Sequence, residues 1–91
     1  MPKFKYYIVY GNGKGWETFE EFNEAFKKFG EVLKKYNMEL VLYGSPFGTQ
    51  EDLVYVMKGN IEDYTSIFGN QDYEDANPIV SGQLTHMVMK P

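Results

Sequence analysis

The chain has no cysteine and a single histidine, His86, and its nine basic side chains are all lysine. Without cysteine there is no disulfide framework, zinc knuckle, thiol nucleophile or iron–sulfur cluster. One histidine cannot build the usual histidine-rich metal sites. Without arginine there is no bidentate fork for phosphate. Long hydrophobic runs are missing as well: nothing approaches the roughly 18 apolar residues of a membrane span. The start, Met1-Pro2-Lys3-Phe4, is not that of a signal peptide. Positive charge is also in deficit, with 9 lysines against 13 acidic residues, a net charge of -4 and a pI near 4.9. Such a surface suits neither nucleic acid nor an anionic membrane. The 91 residues suffice for one domain, residues 1–91. A cytoplasmic protein without metal or cofactor is the expectation.

What the chain has in excess is aromatic: 7 Phe, 8 Tyr and 1 Trp, 18% of its residues. Phe4 to Tyr10 reads as a strand, broken by Gly11-Asn12-Gly13-Lys14-Gly15. Phe19, Phe22, Phe26, Phe29, Leu33 and Tyr36 then recur at steps of three and four, the apolar stripe of one helix. Thr18 and Glu21 have capping-box spacing, glutamates crowd the first half and lysines the second, and Asn37 is a stop. Glu39–Tyr43 and Leu53–Met57 read as strands of a hairpin with a longish loop. A short helix is expected from Asn60 to Phe68, with Ile61, Tyr64, Ile67 and Phe68 on its buried face. Gln71–Pro78 reads as an acidic loop, and Ile79–Met89 as a final strand bulged at Gly82.

The order β-α-β-β-α-β, with right-handed crossovers, folds as a ferredoxin-like α+β domain. It is one four-stranded antiparallel sheet with two helices on one face and the first and third strands central. Two helices cover one face, yet these strands are apolar on both. The polar strand ends Lys5, Glu39, Asp52 and Lys58 share parity with Tyr7, Val41, Tyr43, Val54 and Val56, which assigns that set to the helix-free face. Tyr55 falls on the other parity, in the core. A bare apolar patch marks an interface or a ligand surface.

Over nearly the whole chain, the element order, the size and the apolar uncovered face resemble the dimeric α/β-barrel superfamily. The closing strand Leu84-Thr85-His86-Met87-Val88-Met89 and the run Gly44-Ser45-Pro46-Phe47-Gly48-Thr49 with Glu51-Asp52 add to the likeness. The resemblance is architectural. It implies a homodimer packed sheet to sheet through the helix-free face. Its members include cofactor-independent monooxygenases, muconolactone isomerase-type enzymes, haem-handling branches and amino-acid-sensing regulatory domains. Two other ferredoxin-like families fail. Acylphosphatases need a first-loop arginine, and RNA-recognition modules need a third-strand motif and a basic surface.

Three functions therefore compete. The first is a homodimer that binds a small apolar or aromatic ligand between sheet and helices. The second is a monooxygenase- or isomerase-type enzyme, and the third a ligand-free structural or regulatory dimerisation module. Tyr7, Tyr43 and Thr85 are the ligand-binding candidates, since phenols stack on and hydrogen-bond to aromatic substrates. His86, the side chain that titrates near neutrality, is the catalytic candidate. The glycine-rich loop at Gly11–Gly15 fits no phosphate-loop pattern and is at most a weak anion site with Lys14.

Overall fold

A computed structural model describes residues 5–46 and 51–89. The β-branched and aromatic N-terminal run forms β1 (Lys5–Gly13). It continues through Gly11-Asn12-Gly13, where the sequence suggests a break, because Asn12 and Gly13 pair with Ser81 and Ile79 of the last strand. Gly11 is needed there: a β-carbon at that position would collide with the Ile79 side chain. The phenylalanine stripe forms α1 (Phe19–Lys35), with Thr18 accepting from the Glu21 N–H at 3.1 Å. Glu21 returns the bond to the Glu17 N–H, one residue earlier than in a standard capping box. Asn37, at φ 63°, turns the chain out of the helix.

β2 (Glu39–Gly44) and β3 (Leu53–Gly59) follow. The expected connecting turn includes residues 47–50, which lie outside the described residues. In α2 (Ile61–Ser66), Asn60 Oδ1 accepts from the Asp63 N–H at 2.9 Å. The expected acidic loop is in fact a third helix, α3 (Gln71–Ala76). Its polar composition hides it: Gln71, Asp72, Glu74 and Asp75 are exposed, while Tyr73 and Ala76, three apart, turn inward. β4 (Ile79–Met89) closes the fold, with Gly82 at φ 66° beside its register shift. The described residues thus carry three helices rather than two. The sheet has the order β2-β3-β1-β4, every neighbouring pair is antiparallel, and β1 and β3 are central as expected.

The helices share one face of the sheet. Phe26, Phe29 and Leu33 of α1, Tyr64 of α2, Ile67 and Tyr73 of α3 form one buried cluster with Tyr7, Val9, Leu53, Tyr55 and Met57. This corrects the parity assignment. Val54 and Val56 do lie on the helix-free face, but β1 is turned the other way: Tyr7 and Val9 are fully buried, and Tyr6, Ile8 and Tyr10 face out. The register forces it, since Tyr7 stands opposite Met57 and Ile8 opposite Val56. Lys5 misleads because a lysine at a strand end reaches water from either face. In β2 a bulge at Val41 flips the alternation. Leu40 and Tyr43 therefore point inward, and Tyr43 stacks on Phe26 with ring centroids 4.1 Å apart. Two helix residues also differ from expectation, since Phe19 is 73% and Phe68 50% exposed.

Phe26→Ala should cost about 3–5 kcal/mol of stability by opening a cavity in this cluster. Phe19→Ala should change it by no more than about 0.5 kcal/mol. Urea unfolding of the two variants checks the orientation of α1, and equal losses would contradict it.

Candidate functional site

Half of the eight tyrosines, Tyr7, Tyr55, Tyr64 and Tyr73, converge in the interior between the sheet and α2 and α3. Tyr7 from β1 and Tyr64 from α2 stack face to face at 3.8 Å with 9° between planes. Tyr73 meets Phe29 and Phe68, and Phe29 meets Tyr55 edge-on at 4.9 Å. Periodicity places these rings: Tyr55 alternates inward on β3, Tyr64 is at the fourth position of α2, and Tyr73 is three residues before Ala76.

Their polar ends differ. The Tyr55 hydroxyl donates to Asn77 Oδ1 at 3.1 Å, and the same oxygen accepts from the Ile79 N–H. Asn77 in turn reaches Gln83 through its amide. Tyr64 has the Thr85 side chain as its polar neighbour on β4. Tyr7 makes only a long bond, 3.5 Å, to the Gly59 carbonyl. Tyr73 Oη, buried beside Tyr55, has no partner at bonding geometry. An unbonded hydroxyl in an aromatic interior is costly, about 1–3 kcal/mol.

Burial raises all four phenols above the usual tyrosine range. For Tyr7, inaccessible but close beneath the surface, Tyr64 and the carboxylates Glu62 and Asp63 add to the effect. For Tyr55 the neighbouring Tyr73 does so. For Tyr64 the Thr85 hydroxyl opposes it. These groups are neutral hydrogen-bond donors near pH 7, and none of them is a base.

The structure brings together some of the residues the sequence singles out and separates others. Tyr7 and Thr85 share the helix-covered side with Tyr64 between them. Tyr43 is on the same side but on the far edge strand, its hydroxyl donating to Asn23 Oδ1 at 2.9 Å. His86 points the opposite way, exposed on the helix-free face with its ring edge-on to Tyr10. A Tyr7–Tyr43–His86 constellation is therefore not assembled. In the glycine-rich loop, Asp52 Oδ1 accepts from the Gly13 N–H at 2.9 Å, so a carboxylate occupies the place of an anion. Tyr73 is the site residue that sequence reading missed, and its signal was the pair Tyr73 and Ala76 following Asn70. An open groove of about 690 Å³ between α1 and α3, lined by Trp16, Lys28 and Asp75 among others, carries mixed charge. No cluster of metal-ligating side chains occurs among the described residues.

The helix-free face is built of three rungs across the sheet. Leu42, Val56, Ile8 and His86 form the middle one. Val54, Tyr10 and Leu84 flank it on one side, and Lys58, Tyr6 and Val88 on the other. Leu42, Leu84 and Val88 are each between 42% and 55% exposed. No helix among the described residues is long and apolar enough to cross a membrane.

No family model and no curated protein sequence matches this chain. Solved structures do. A hydroxynitrile lyase from Passiflora edulis superposes with a TM-score of 0.67 at 12% identity, over 100% of this chain and 96% of the lyase. A protein of unknown function from Rhodopseudomonas palustris gives 0.63 at 11%, over 100% and 85% of the two chains. A dimeric protein of unknown function and ferredoxin-like fold from Bacteroides fragilis gives 0.57 at 14%, over 96% of each. At such identities the likeness is one of fold, and that fold is ferredoxin-like.

Tyr73→Phe removes an unbonded buried hydroxyl, whereas Tyr55→Phe removes one that is bonded to Asn77. The first should leave the protein as stable or about 1 kcal/mol more stable, and the second should weaken it by about 1 kcal/mol. Denaturant midpoints measure both, and a destabilised Tyr73→Phe would mean that the hydroxyl is satisfied after all.

Proposed function

We propose that two copies of this chain join through their helix-free sheet faces, and that each holds a small aromatic or phenolic molecule beneath α2. The observation that carries the pairing is the apolar face itself. Three rungs on four strands make it a contiguous apolar patch rather than scattered exposed side chains, which is what marks an interface. A second copy is the fitting occupant because the face bears little charge, whereas the chain as a whole carries -4 and repels its own kind elsewhere. The dimeric protein from Bacteroides fragilis shares the fold and supports the same reading.

The ligand half rests on Tyr73. A phenol or carbonyl admitted beneath α2 would meet its unbonded hydroxyl, with Phe68, Tyr64 and Tyr7 as the neighbouring rings. The cover is thin, since α2 is six residues long and reaches the interior through Tyr64 and the adjoining Ile67. The fold likeness to a hydroxynitrile lyase motivates an enzyme reading. Cleaving a hydroxynitrile, however, needs a base to take the hydroxyl proton. Here the interior offers neutral phenols, and His86 lies on the other side of the sheet. Binding is therefore favoured over catalysis.

Sedimentation equilibrium at micromolar concentration should give twice the 10.6 kDa chain mass, and Ile8→Lys or Val56→Lys should give a folded monomer. A wild-type monomer would overturn the pairing. With 4-methylphenol as the probe, a titration followed by NMR should perturb the signals of Tyr64, Tyr73 and Thr85. The perturbation should weaken at least several-fold in Tyr73→Phe, and an equal response in that variant would remove the ligand site.

A further inference from the structure

We propose that Asn12 is a site of spontaneous deamidation and that Asp52 holds the reaction in check. Neither the pairing nor the ligand reading uses the glycine-rich run in which Asn12 lies. Of the six asparagines, Asn12 alone precedes a glycine; the other five precede Glu24, Met38, Ile61, Gln71 and Pro78. Deamidation requires the next backbone nitrogen to reach the side-chain carbonyl carbon. A β-carbon on that next residue crowds the approach, and glycine has none.

The chemistry needs only water. The Gly13 nitrogen gives up its proton and attacks Asn12 Cγ. The new N–Cγ bond closes a five-membered succinimide as the Cγ–Nδ2 bond breaks and ammonia leaves. Water then opens the ring at either carbonyl. Opening at Cγ leaves aspartate; opening at the main-chain carbonyl leaves isoaspartate, in which the backbone runs through the former side chain.

The fold opposes the first step at the nucleophile itself. The β1–β3 ladder ends at Gly11 and Leu53, and beyond it the Asp52 side chain supplies the next bond, its Oδ1 accepting from the Gly13 N–H at 2.9 Å. That bond has to break before the nitrogen can attack, and the carboxylate charge beside it disfavours loss of the proton. Ring closure also swings the Gly13 nitrogen toward Asn12 Cγ by rotation about the Asn12 Cα–C bond. On the other side of β1, Asn12 pairs with Ser81 and Gly13 with Ile79, which resists that rotation. This second hold is the weaker one, because the register shifts on either side of Asn12 and the end of a ladder opens most readily. Packing adds to it: the Trp16 ring lies against Gly13, and the Asn12 amide lies against Gly82. Asp52 is thus the contact that acts on the reacting atom. Either product places a second carboxylate beside Asp52, so the like charges loosen the end of β1 once the change has occurred.

Incubation of the folded protein at mildly alkaline pH, followed by intact mass and peptide mapping, tests the guard. Wild type should gain one mass unit slowly, at Asn12 ahead of the other five asparagines. Asp52→Ala should gain it at least about fivefold faster, the factor that corresponds to one exposed hydrogen bond of about 1 kcal/mol. Thr18→Ala removes the cap of α1 and leaves the Gly13 bond in place, so it should deamidate at the wild-type rate. Circular dichroism establishes that both variants are folded. No gain at Asn12 in Asp52→Ala would overturn the site. Equal rates in wild type and Asp52→Ala, or a Thr18→Ala as fast as Asp52→Ala, would overturn the role of Asp52.

Discussion

The architecture turns on a mismatch between two faces and one cover. Four strands carry apolar side chains on both sides, but α1, α2 and α3 all pack on the same side. The covered side becomes a cluster of aromatic rings in near-continuous contact, from Trp16 through Phe22, Phe26 and Phe29 to Tyr73. The uncovered side is left with Tyr6, Ile8, Tyr10, Val54 and Val56, half-buried only by one another, and with Leu42, Leu84 and Val88 open to water. A bare apolar face of this kind is the ground for the proposed pairing. Everything proposed about assembly follows from where the helices are absent.

The tyrosines divide along the same line. Those beneath the helices are neutral phenols, with Tyr55 held by Asn77 and Tyr73 unbonded. Tyr6 and Tyr10 lie on the open side, among its aliphatic side chains. Phenol and imidazole thus lie on opposite sides of one sheet.

Much of the fold was legible in the sequence. The stripe from Phe22 to Leu33 has one period and one solution, and β3 alternates cleanly between Leu53, Tyr55, Met57 and Val54, Val56. The face of β1 was not legible, because Tyr6, Ile8 and Tyr10 are as apolar as Tyr7 and Val9. Only cross-strand register to Met57 and Val56 decides between them. In β2 the bulge at Val41 breaks the period-two rule on which parity depends. Helix α3 was hidden because six residues with four polar side chains read as loop, and Tyr73 went unnoticed with it. Of the candidate site, Tyr7 and Thr85 were found for their chemistry while their side of the sheet was not. His86 was found for its imidazole, and its place on the helix-free face keeps it apart from the buried tyrosines.

The central claim is that the helix-free face is covered in solution by its own copy. The most direct measurement is relaxation of side-chain methyl signals by a soluble paramagnetic probe at neutral pH. If the account holds, the methyls of Ile8, Leu42, Val54, Val56, Leu84 and Val88 are protected at high micromolar protein and lose that protection on dilution, while those of core residues such as Leu33 and Leu53 stay shielded throughout. Relaxation of the helix-free methyls that is strong and independent of concentration would contradict it.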